Sequence, residues 1–591
     1  MNRVLVQLRQ ALAWARPEGG AGRRSPTVRA RTWTARVGIV AAAVLLVAAC
    51  GSSNGSGGST KVGGTLTYAL DEDVAGFNVL SAGDQEEVLA EMLNNVWPGV
   101  FIIEPDLKPH LNTSFVTSAR VTSTSPQTVV YQINPKAVWS DGTPINADDF
   151  IYNWQAQSGD STYTDLGGKP YEPATTTGFQ SIKSVTGSNN GKTVTVVFAQ
   201  PFGDWQSLFT PMIPAHIAKS VGFNKGFQDF GPAVQVSGGP FMIQSYTKGQ
   251  DLVEVPNPHY WGARPSLSKL VFRFILDDSQ QPAAVQNNEV QIVNPTLATL
   301  TFYDSLRHVS NFKVDVAGGL SYQHIDFNQA NPYLANVNIR QAIAYGTDRR
   351  TITQRTAGLI DKNIQPLGNR IFMPAQPQYK DNSSGYGDFN ASKARSLLQQ
   401  AGMTMGSDGY FQPGAGPEKG QDLTFSISTT SGQPLRSQIE QLFQSQMKDI
   451  GVKINIQNYP AKTLFGTVIP KGEFDLTEFE WGSLAVTPSF FPSIYCSYTD
   501  SNNCGSNYDH YANPQVDQRL QSGVAELNPS QAANDFNQVD AQLWKDMVTL
   551  PLFQNPDLTG WSTKYANIVP NEYTGVTWNA QDWALKAPAS S

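Results

Sequence analysis

The chain has 591 residues, a net charge of −7 at neutral pH and 15% charged residues. Because it is mildly acidic and has no run rich in lysine and arginine, its composition argues against a nucleic-acid-binding protein. After Thr60 roughly 530 residues remain, which the usual domain size divides into two to four domains. With 40% hydrophobic residues, these domains can bury an ample core.

The first fifty residues have the pattern of an export signal. A basic stretch, with no acidic residue after Glu18, precedes an apolar run over Val37–Ala49. This order of basic region, short apolar core and small residues is typical of a secretory signal peptide. The core is about thirteen residues long, whereas a membrane-spanning helix needs roughly 17–25. We therefore predict a cleaved signal peptide over residues 1–49.

The signal ends at a cysteine in a characteristic setting. The sequence Val47-Ala-Ala-Cys50-Gly51 resembles the bacterial lipobox, which implies a thioether-linked lipid on Cys50 as the first mature residue. The alternative is a chance cysteine in an ordinary signal peptide. Residues 51–60 are almost entirely glycine and serine, a composition that behaves as a flexible tether. We therefore predict a lipidated cysteine and tether over residues 50–60, anchored to the outer face of the cell membrane.

Two further cysteines fit an exported protein. Cys496 and Cys504 lie eight residues apart in a polar, turn-rich segment. In an oxidising compartment such a pair predicts a short structural disulfide. A metal site is the weaker interpretation, because His510 is the only nearby histidine and there is no second cysteine pair.

The mature chain has the patterns of an α/β protein. Residues 65–70 alternate apolar and small polar side chains, as in a strand. Asn390–Gly402 has a capping residue at each end and one apolar stripe, so it predicts a helix. A second predicted helix begins near Pro434 and stops at Gly451, and residues 452–456 then alternate as a strand. Helix, glycine stop and strand in quick succession describe an α/β unit.

Seven separated segments, in order, give the chain a family resemblance. They include an Asp-Gly turn before an Asn-capped helix start and a helix ending in Thr-Asp-Arg. With them the chain resembles the family 5 extracellular solute-binding proteins, the oligopeptide, dipeptide and nickel receptors of ABC importers. The segments are Ala137–Phe150, Ser237–Phe241, Asn257–Leu267, Val337–Arg349, Gly472–Trp481, Asn507–Pro514 and Leu550–Pro556.

The resemblance implies a two-lobed fold of the large peptide-receptor type that closes over its ligand about a hinge. The first lobe, lobe I, would be assembled from residues 61–101, 236–327 and 555–591. An extra domain, residues 102–235, would be inserted in it. The second lobe, lobe III, would hold the ligand with residues 328–554. The implied partners are a small peptide or other solute and the permease and ATPase subunits of an importer, with the receptor itself a monomer.

In peptide-binding members the ligand lies extended between the lobes and pairs with the backbone as an added strand. By position, the resemblance implies four ligand-binding segments: a loop, two strands and the start of the last lobe I segment. Their residues are Phe77, Asn78, Val79, Tyr322, Gln323, His324, Glu478, Glu480, Trp481, Gly482, Gln554 and Asn555.

The match to peptide receptors departs at the ligand's ammonium site. Oligopeptide receptors commonly have an Asp shortly after the tryptophan, whereas this chain has Leu484; Glu480 replaces a glycine that family members often have before the tryptophan. Glu478 and Glu480 share a strand face by the period of two. They therefore form either a displaced anionic site for a cationic group, or a pair that points to solvent.

Other functions remain as alternatives. The six histidines form no metal-ligand pair, so we expect no metal and no cofactor, although His324 leaves a nickel or haem receptor open. Gly51–Gly55 matches Gly-x-Ser-x-Gly formally, but it lies in the tether and lacks the strand and helix of a nucleophile elbow, so we expect no enzyme. A receptor for a sugar, or a non-transport lipoprotein of envelope glycolipid assembly, would use the same scaffold.

Overall fold

A computed structural model describes residues 60–84, 86–482, 488–499 and 504–587. The predicted signal peptide, Cys50 and most of the tether lie outside the described residues, as does Leu484. The fold is mixed α/β. Among the described residues no helix is long and apolar enough to cross a membrane.

A ten-stranded sheet runs through the whole molecule. Residues 65–70 form the predicted strand within it, and its parallel and antiparallel pairs are mixed. In spatial order its strands are Phe241–Thr247, Asp251–Pro256, Lys269–Phe274, Thr65–Leu70, Ile292–Val293, Thr549–Ser562, Phe312–Phe327, Leu476–Trp481, Thr424–Ser428 and Lys453–Ile456.

A separate four-stranded antiparallel sheet lies within the predicted inserted domain. Its strands, in spatial order, are Val116–Thr124, Gln127–Ile133, Thr193–Phe198 and Ile182–Ser188. Smaller sheets pair Thr60–Lys61 and Tyr565–Ala566 with Ala584–Lys586, Phe101–Ile103 with Pro109–Leu111, Thr164–Asp165 with Lys169–Pro170, and Met403–Met405 with Phe411–Pro413.

Helices cover the sheets, and their ends follow the chemistry of the sequence. The predicted helix after Asn390 is confirmed, and the Asn390 side chain accepts a hydrogen bond from the Lys393 amide. The helix that begins at Pro434 stops at Gly451, whose φ of 84° needs glycine. The α-helices are Glu87–Leu93, Ala147–Gln157, Ala215–Val221, Gln281–Gln286, Leu300–Leu306, Val337–Gly346, Arg349–Arg355, Ala391–Gln400, Pro434–Ile450, Ala461–Thr463, Pro492–Tyr495, Pro514–Ala525 and Pro529–Asp546.

The buried apolar side chains separate into two main cores. One draws only on residues 66–292 and 561–583, and the other only on residues 325–553. Each of these two parts of the chain therefore encloses its own interior. The predicted boundaries of the lobes and of the inserted domain stay predictions.

Two long strands connect these cores. Phe312–Phe327 and Thr549–Ser562 pair antiparallel along most of their length, but their register breaks between Gly318 and Tyr322. At the break the Gln554 amide donates to the Gly319 carbonyl over 2.6 Å. A Cβ on Gly318 would lie 2.7 Å from Gln554 Oε1, so a larger residue there would displace the Gln554 side chain. The crossing of the two strands is therefore irregular, and the hydrogen bond from the Gln554 side chain holds it in place.

Candidate ligand-binding cleft

A cleft of 1140 Å³ lies between residues of the two parts of the chain. This volume is somewhat above the roughly 300–1,000 Å³ typical of ligand pockets. The helix Glu87–Leu93 turns one face to the cleft, with Glu87, Ala90 and Asn94 in its lining, while the other face is buried. From the second part of the chain the lining includes Phe372, Gly482, Ser489, Phe490 and Ala532.

The two parts of the chain touch at the rim of the cleft. The Gly203 amide donates to the Val524 carbonyl over 2.7 Å, and the Ser489 amide donates to Asp204 Oδ2 over 3.0 Å. A Cβ on Gly203 would lie 2.4 Å from the Glu526 carbonyl oxygen, so only glycine permits this approach. The molecule is therefore in a form in which the cleft is closed on this side.

Gln323, Glu480 and Asn555 come together where three strands of the large sheet lie side by side. Gln323 Nε2 donates to Glu480 Oε2 over 3.1 Å and to Asn555 Oδ1 over 3.2 Å. Asn555 Nδ2 donates to Glu480 Oε2 over 2.7 Å. Arg436 Nη2 lies 3.8 Å from the same oxygen. We call Gln323, Glu480 and Asn555 the polar triad; Glu480 is its most accessible member, with 23% of its side chain exposed.

Glu478 does not point to solvent. It is fully buried and accepts a hydrogen bond of 3.0 Å from the Thr429 hydroxyl. Burial raises the pKa of Glu478 to about 7, against the lowering effect of Arg436 and that hydrogen bond. The interpretation that Glu478 and Glu480 both face solvent is therefore wrong for Glu478, because the turn after strand Thr424–Ser428 covers it.

Aromatic rings surround Trp481 beside the polar triad. The ring of Tyr508 lies parallel to it with centroids 6.3 Å apart, and His324 is stacked at 6.0 Å on an interplanar angle of 16°. His324 is fully buried, and its Nε2 lies 3.1 Å from Asp326 Oδ1. Within the described ranges, no three His, Cys, Asp or Glu side chains are grouped so as to hold a metal ion.

The family model of bacterial extracellular solute-binding proteins, family 5, matches residues 106–503. The oligopeptide-binding protein OppA of Mycobacterium tuberculosis is 33% identical over 513 residues, covering 85% of this chain and 82% of OppA. The chain belongs to the family 5 bacterial extracellular solute-binding proteins. The resemblance found in the seven segments is thereby confirmed, and so is the two-lobed fold of this family.

One further relative and one solved structure are named for ligands other than peptides. The Probable monoacyl phosphatidylinositol tetramannoside-binding protein LpqW of Mycobacterium tuberculosis is 26% identical, and the aligned region covers 69% of this chain and 67% of LpqW. The solved structure of the periplasmic EDTA-binding protein EppA superposes with a TM-score of 0.82, at 27% identity, covering 90% of this chain and 98% of EppA. Both of these names are those of binding proteins.

The remaining residues that the resemblance assigned to the ligand have different surroundings. Val79 and Gly482 line the cleft. Phe77 is buried edge-on against Tyr246 with ring centroids 5.0 Å apart. Asn78 donates to the Phe223 carbonyl over 2.7 Å, in the interior. Together with Gln554 at the strand crossing, Phe77 and Asn78 therefore fix the backbone around the cleft.

Tyr322 is also buried, next to Gln323 on the same strand. Its pKa is raised well above the ordinary value, first by desolvation and then by Tyr495. The predicted disulfide between Cys496 and Cys504 is present, with Cα atoms 5.9 Å apart. It closes the loop that follows the cleft residues Ser489 and Phe490.

Sequence reasoning missed a group of acidic residues around the helix Glu87–Leu93, which lines part of the cleft. Burial raises the pKa of Glu72 to about 9, and the charges of Asp71, Glu87 and Glu86 raise it further. The pKa of Glu87 is raised to about 7, first by desolvation, although its side chain is exposed. The signal was available, since Glu87, Ala90 and Asn94 recur at helical spacing opposite the apolar face.

Proposed function

We propose that this protein is the substrate-binding subunit of an ABC importer that captures oligopeptides or dipeptides between its lobes. The observation that carries the proposal is the polar triad, which gathers three segments of the chain and whose Glu480 is two residues before Gly482 in the cleft lining. The similarity of the whole protein to OppA, over most of both chains, supports a peptide as the ligand. Closure would present the loaded receptor to the permease and ATPase subunits.

The cleft is suited to an extended ligand. A peptide binds as an added strand through main-chain hydrogen bonds, while wide, wet pockets accept different side chains. Trp481, Val79 and Gly482 would contact it, and Glu480 would provide the anionic site for a cationic group, in place of the missing Asp near Leu484. The hinge would be the irregular crossing of the two long strands.

The proposal includes the division of the chain. Lobe I would comprise residues 61–101, 236–327 and 555–591, the inserted domain residues 102–235, and lobe III residues 328–554. The two separate apolar cores and the register break between Gly318 and Tyr322 support this division. We propose that the receptor works as a monomer, because one chain supplies both walls of the cleft.

A ligand screen tests the proposal directly. The purified protein is heated with a library of short peptides, and parallel panels contain envelope glycolipids, sugars, haem and nickel complexes. We expect the melting temperature to rise with peptides, because a ligand that binds only the folded state stabilises it. A clear rise with another panel and none with peptides would refute peptide binding.

A second candidate function is supported by the similarity to LpqW at 26% identity. On that reading the protein would be a lipoprotein of envelope glycolipid assembly that uses the same cleft. The glycolipid panel then gives the largest rise in melting temperature. Deletion of the gene would also alter envelope glycolipids while leaving peptide uptake intact.

We further propose that Cys50 carries the lipid anchor. Stable anchoring takes more than one acyl chain, which a lipid-modified cysteine would supply. We predict that Cys50→Ser is released from the membrane or left unprocessed, with unchanged ligand affinity. Fractionation and lipid labelling measure this, with Cys496→Ser as the matched cysteine control. A mature, lipid-labelled Cys50→Ser protein in the membrane fraction would contradict the assignment.

A further inference from the structure

The strand Thr60–Lys61 lies where the predicted tether joins the folded part of the chain. It pairs antiparallel with Ala584–Lys586, so the two ends of the described chain meet in one small sheet, which also contains Tyr565–Ala566. Val62 follows the first strand directly, and 90% of it is exposed. We call residues 60–62, 563–566 and 584–586 the tether face.

Three exposed lysines lie on the tether face, and two of them are direct cross-strand neighbours. The Lys586 amide donates to the Lys564 carbonyl over 2.9 Å, and both side chains are exposed. Like charges directly opposite each other in a sheet repel. Lys61, on the neighbouring strand, lies opposite Leu585 and is exposed as well. The tether face therefore concentrates positive charge, although the whole chain has a net charge of −7.

The described partners of the two neighbouring ammonium groups are neutral oxygens. Lys586 Nζ donates to the Thr563 carbonyl over 2.8 Å, and Lys564 Nζ donates to Asn288 Oδ1 over 3.2 Å. Neither contact removes the charge of a lysine. Both contacts hold the ammonium groups on the same side of the small sheet, because residues directly opposite each other in a sheet point to one face.

The acids that follow or precede these segments in the chain are already engaged elsewhere. Glu289, next to Asn288, forms an ion pair of 2.7 Å with Arg273, and this pair is neutral as a whole. Asp582, two residues before the last strand, lines the cleft instead. The positive charge of the tether face is thus available to a partner outside the chain.

We propose that the tether face binds the surface of an anionic phospholipid membrane, and that this contact orients the receptor on the membrane. The ten residues from Cys50 to Thr60 reach at most about 33–36 Å, so a lipid on Cys50 keeps this face within that distance of the headgroups. Lysine suits this partner, because each basic residue near an anionic lipid surface strengthens binding about fivefold. The inference rests on the proposed lipid anchor.

Docking of this face would give the two parts of the chain different roles. Tyr565 is buried in the core built from residues 66–292 and 561–583, and Leu585 packs against that core. The part that contains this core would therefore rest on the membrane. The part with residues 325–553 would stay free to move about the hinge and to close the cleft. A lipid and a basic patch together also make anchoring more stable than a single lipid chain does.

The test measures how far a membrane shields the lysines. The full chain, as processed and purified in detergent from cells that express it, is reconstituted with vesicles of phosphatidylcholine alone, or of phosphatidylcholine and phosphatidylglycerol in equal parts. An amine-acylating reagent labels exposed lysines, and mass spectrometry gives the rate at each. With phosphatidylglycerol, we expect the rates at Lys61, Lys564 and Lys586 to fall at least about fivefold.

Two internal controls accompany this measurement. Lys471, which is 62% exposed in the other part of the chain, should be labelled at the same rate with both kinds of vesicle. In about 1 M salt, where the Debye length is ~3 Å, the shielding of the tether face should disappear. Shielding that persists in this salt would contradict an electrostatic contact.

Two pairs of substitutions separate the tether face from the total charge. Lys564→Gln combined with Lys586→Gln should abolish the shielding of Lys61. Lys183→Gln combined with Lys219→Gln removes the same charge from exposed sites of the predicted inserted domain and should leave the shielding of Lys61 intact. An unchanged melting temperature shows that both variants are folded. Loss of shielding in both variants would contradict a role for this face in particular.

Flotation of the vesicles distinguishes the inference from the anchor on which it rests. Equal labelling with both kinds of vesicle, in protein that floats with them, overturns the inference alone; the lysines would then be left for an acidic protein partner. Protein that floats with neither kind contradicts the Cys50 anchor and the inference together. Protein without lipid that floats only with phosphatidylglycerol contradicts the anchor and supports the inference.

Discussion

Buried charged groups have opposite surroundings in the two parts of the chain that enclose separate cores. Within residues 325–553, Arg370 and Asp540 are both fully buried and form an ion pair with Nη1 and Oδ1 3.1 Å apart. Within residues 66–292, Glu254 is equally buried, yet neither carboxyl oxygen has a hydrogen-bond partner among the described residues. Burial raises the pKa of Glu254 well above its ordinary value and so favours its uncharged form.

The comparison shows that burial alone does not decide what a charged residue contributes. Arg370 is satisfied on every side: its Nε donates to Thr549 Oγ1 over 2.8 Å, and its guanidinium lies 4.3 Å from the centre of the Trp544 ring. Asn382 supplies a further donor to Asp540 at 2.9 Å. A complete network is damaged by any deletion, whereas an unpaired carboxyl is a cost that a deletion removes. Substitutions at Arg370 and at Glu254 should therefore change the free energy of unfolding with opposite signs.

The largest effect is expected at the complete network. Arg370→Met keeps the volume but leaves Asp540 buried without a counter-charge, so the free energy of unfolding should fall by about 3–5 kcal/mol. Urea denaturation followed by circular dichroism measures it. Arg273→Met is the control, because Arg273 and Glu289 form an ion pair with both side chains 43% exposed, and exposed pairs contribute little to stability. An Arg370→Met protein as stable as the control would contradict the role assigned to the buried ion pair.

Asp204 is intermediate between the paired Asp540 and the unpaired Glu254. The described hydrogen-bond partner of its side chain is the Ser489 amide, which belongs to the other part of the chain. Desolvation raises its pKa, and the bond from Ser489 at the rim of the cleft opposes this. Asp204→Ala removes a charged hydrogen bond of the closed form, worth about 1.5–3 kcal/mol. We predict that the Kd of a peptide identified in the screen rises at least about tenfold, measured by calorimetry.

The control for Asp204→Ala is Asp160→Ala. Asp160 is an exposed acid of the same region, and its side chain accepts a hydrogen bond from the nearby Thr162 amide. It should leave both affinity and stability unchanged. The urea midpoint of ligand-free Asp204→Ala separates loss of closure from loss of fold. A variant that binds peptide as tightly as the wild type would show that the rim contact does not contribute to closure.

Much of the local structure could be predicted from spacing alone. Asn146 caps its helix with Asp149 as the returning side chain, and Gly451 ends its helix in the left-handed region, as their sequence contexts indicate. These features depend on a few neighbouring residues. Several site segments also meet as the resemblance implies, because strand pairing sets Gln323 opposite Glu480.

What spacing cannot predict is which group from a distant segment arrives beside a given residue. A period of two puts Glu478 and Glu480 on one face, but only the folded loop around Thr429 decides that Glu478 is covered. Glu87 meets the field of Glu480 across almost 400 residues of chain. Likewise, residues 251–256 do not alternate clearly, because Leu252 and Val253 are both apolar, so the pattern does not indicate that Glu254 points into the core.

The smallest effect is therefore expected at Glu254, and its sign is the sharpest test. Below pH 4.5, the ordinary pKa of a glutamate, the carboxyl is protonated in both folded and unfolded chains. Above it the carboxyl ionises more readily in the unfolded chain than in the folded one, so the wild type loses stability as the pH rises. Glu254→Met should thus raise the free energy of unfolding by about 1 kcal/mol at pH 8 and by less at pH 4. Urea denaturation at both pH values measures this, with the surface variant Glu473→Gln as the control. A Glu254→Met protein that is less stable than the wild type at pH 8 would mean that Glu254 is held by partners of its own, as Arg370 is.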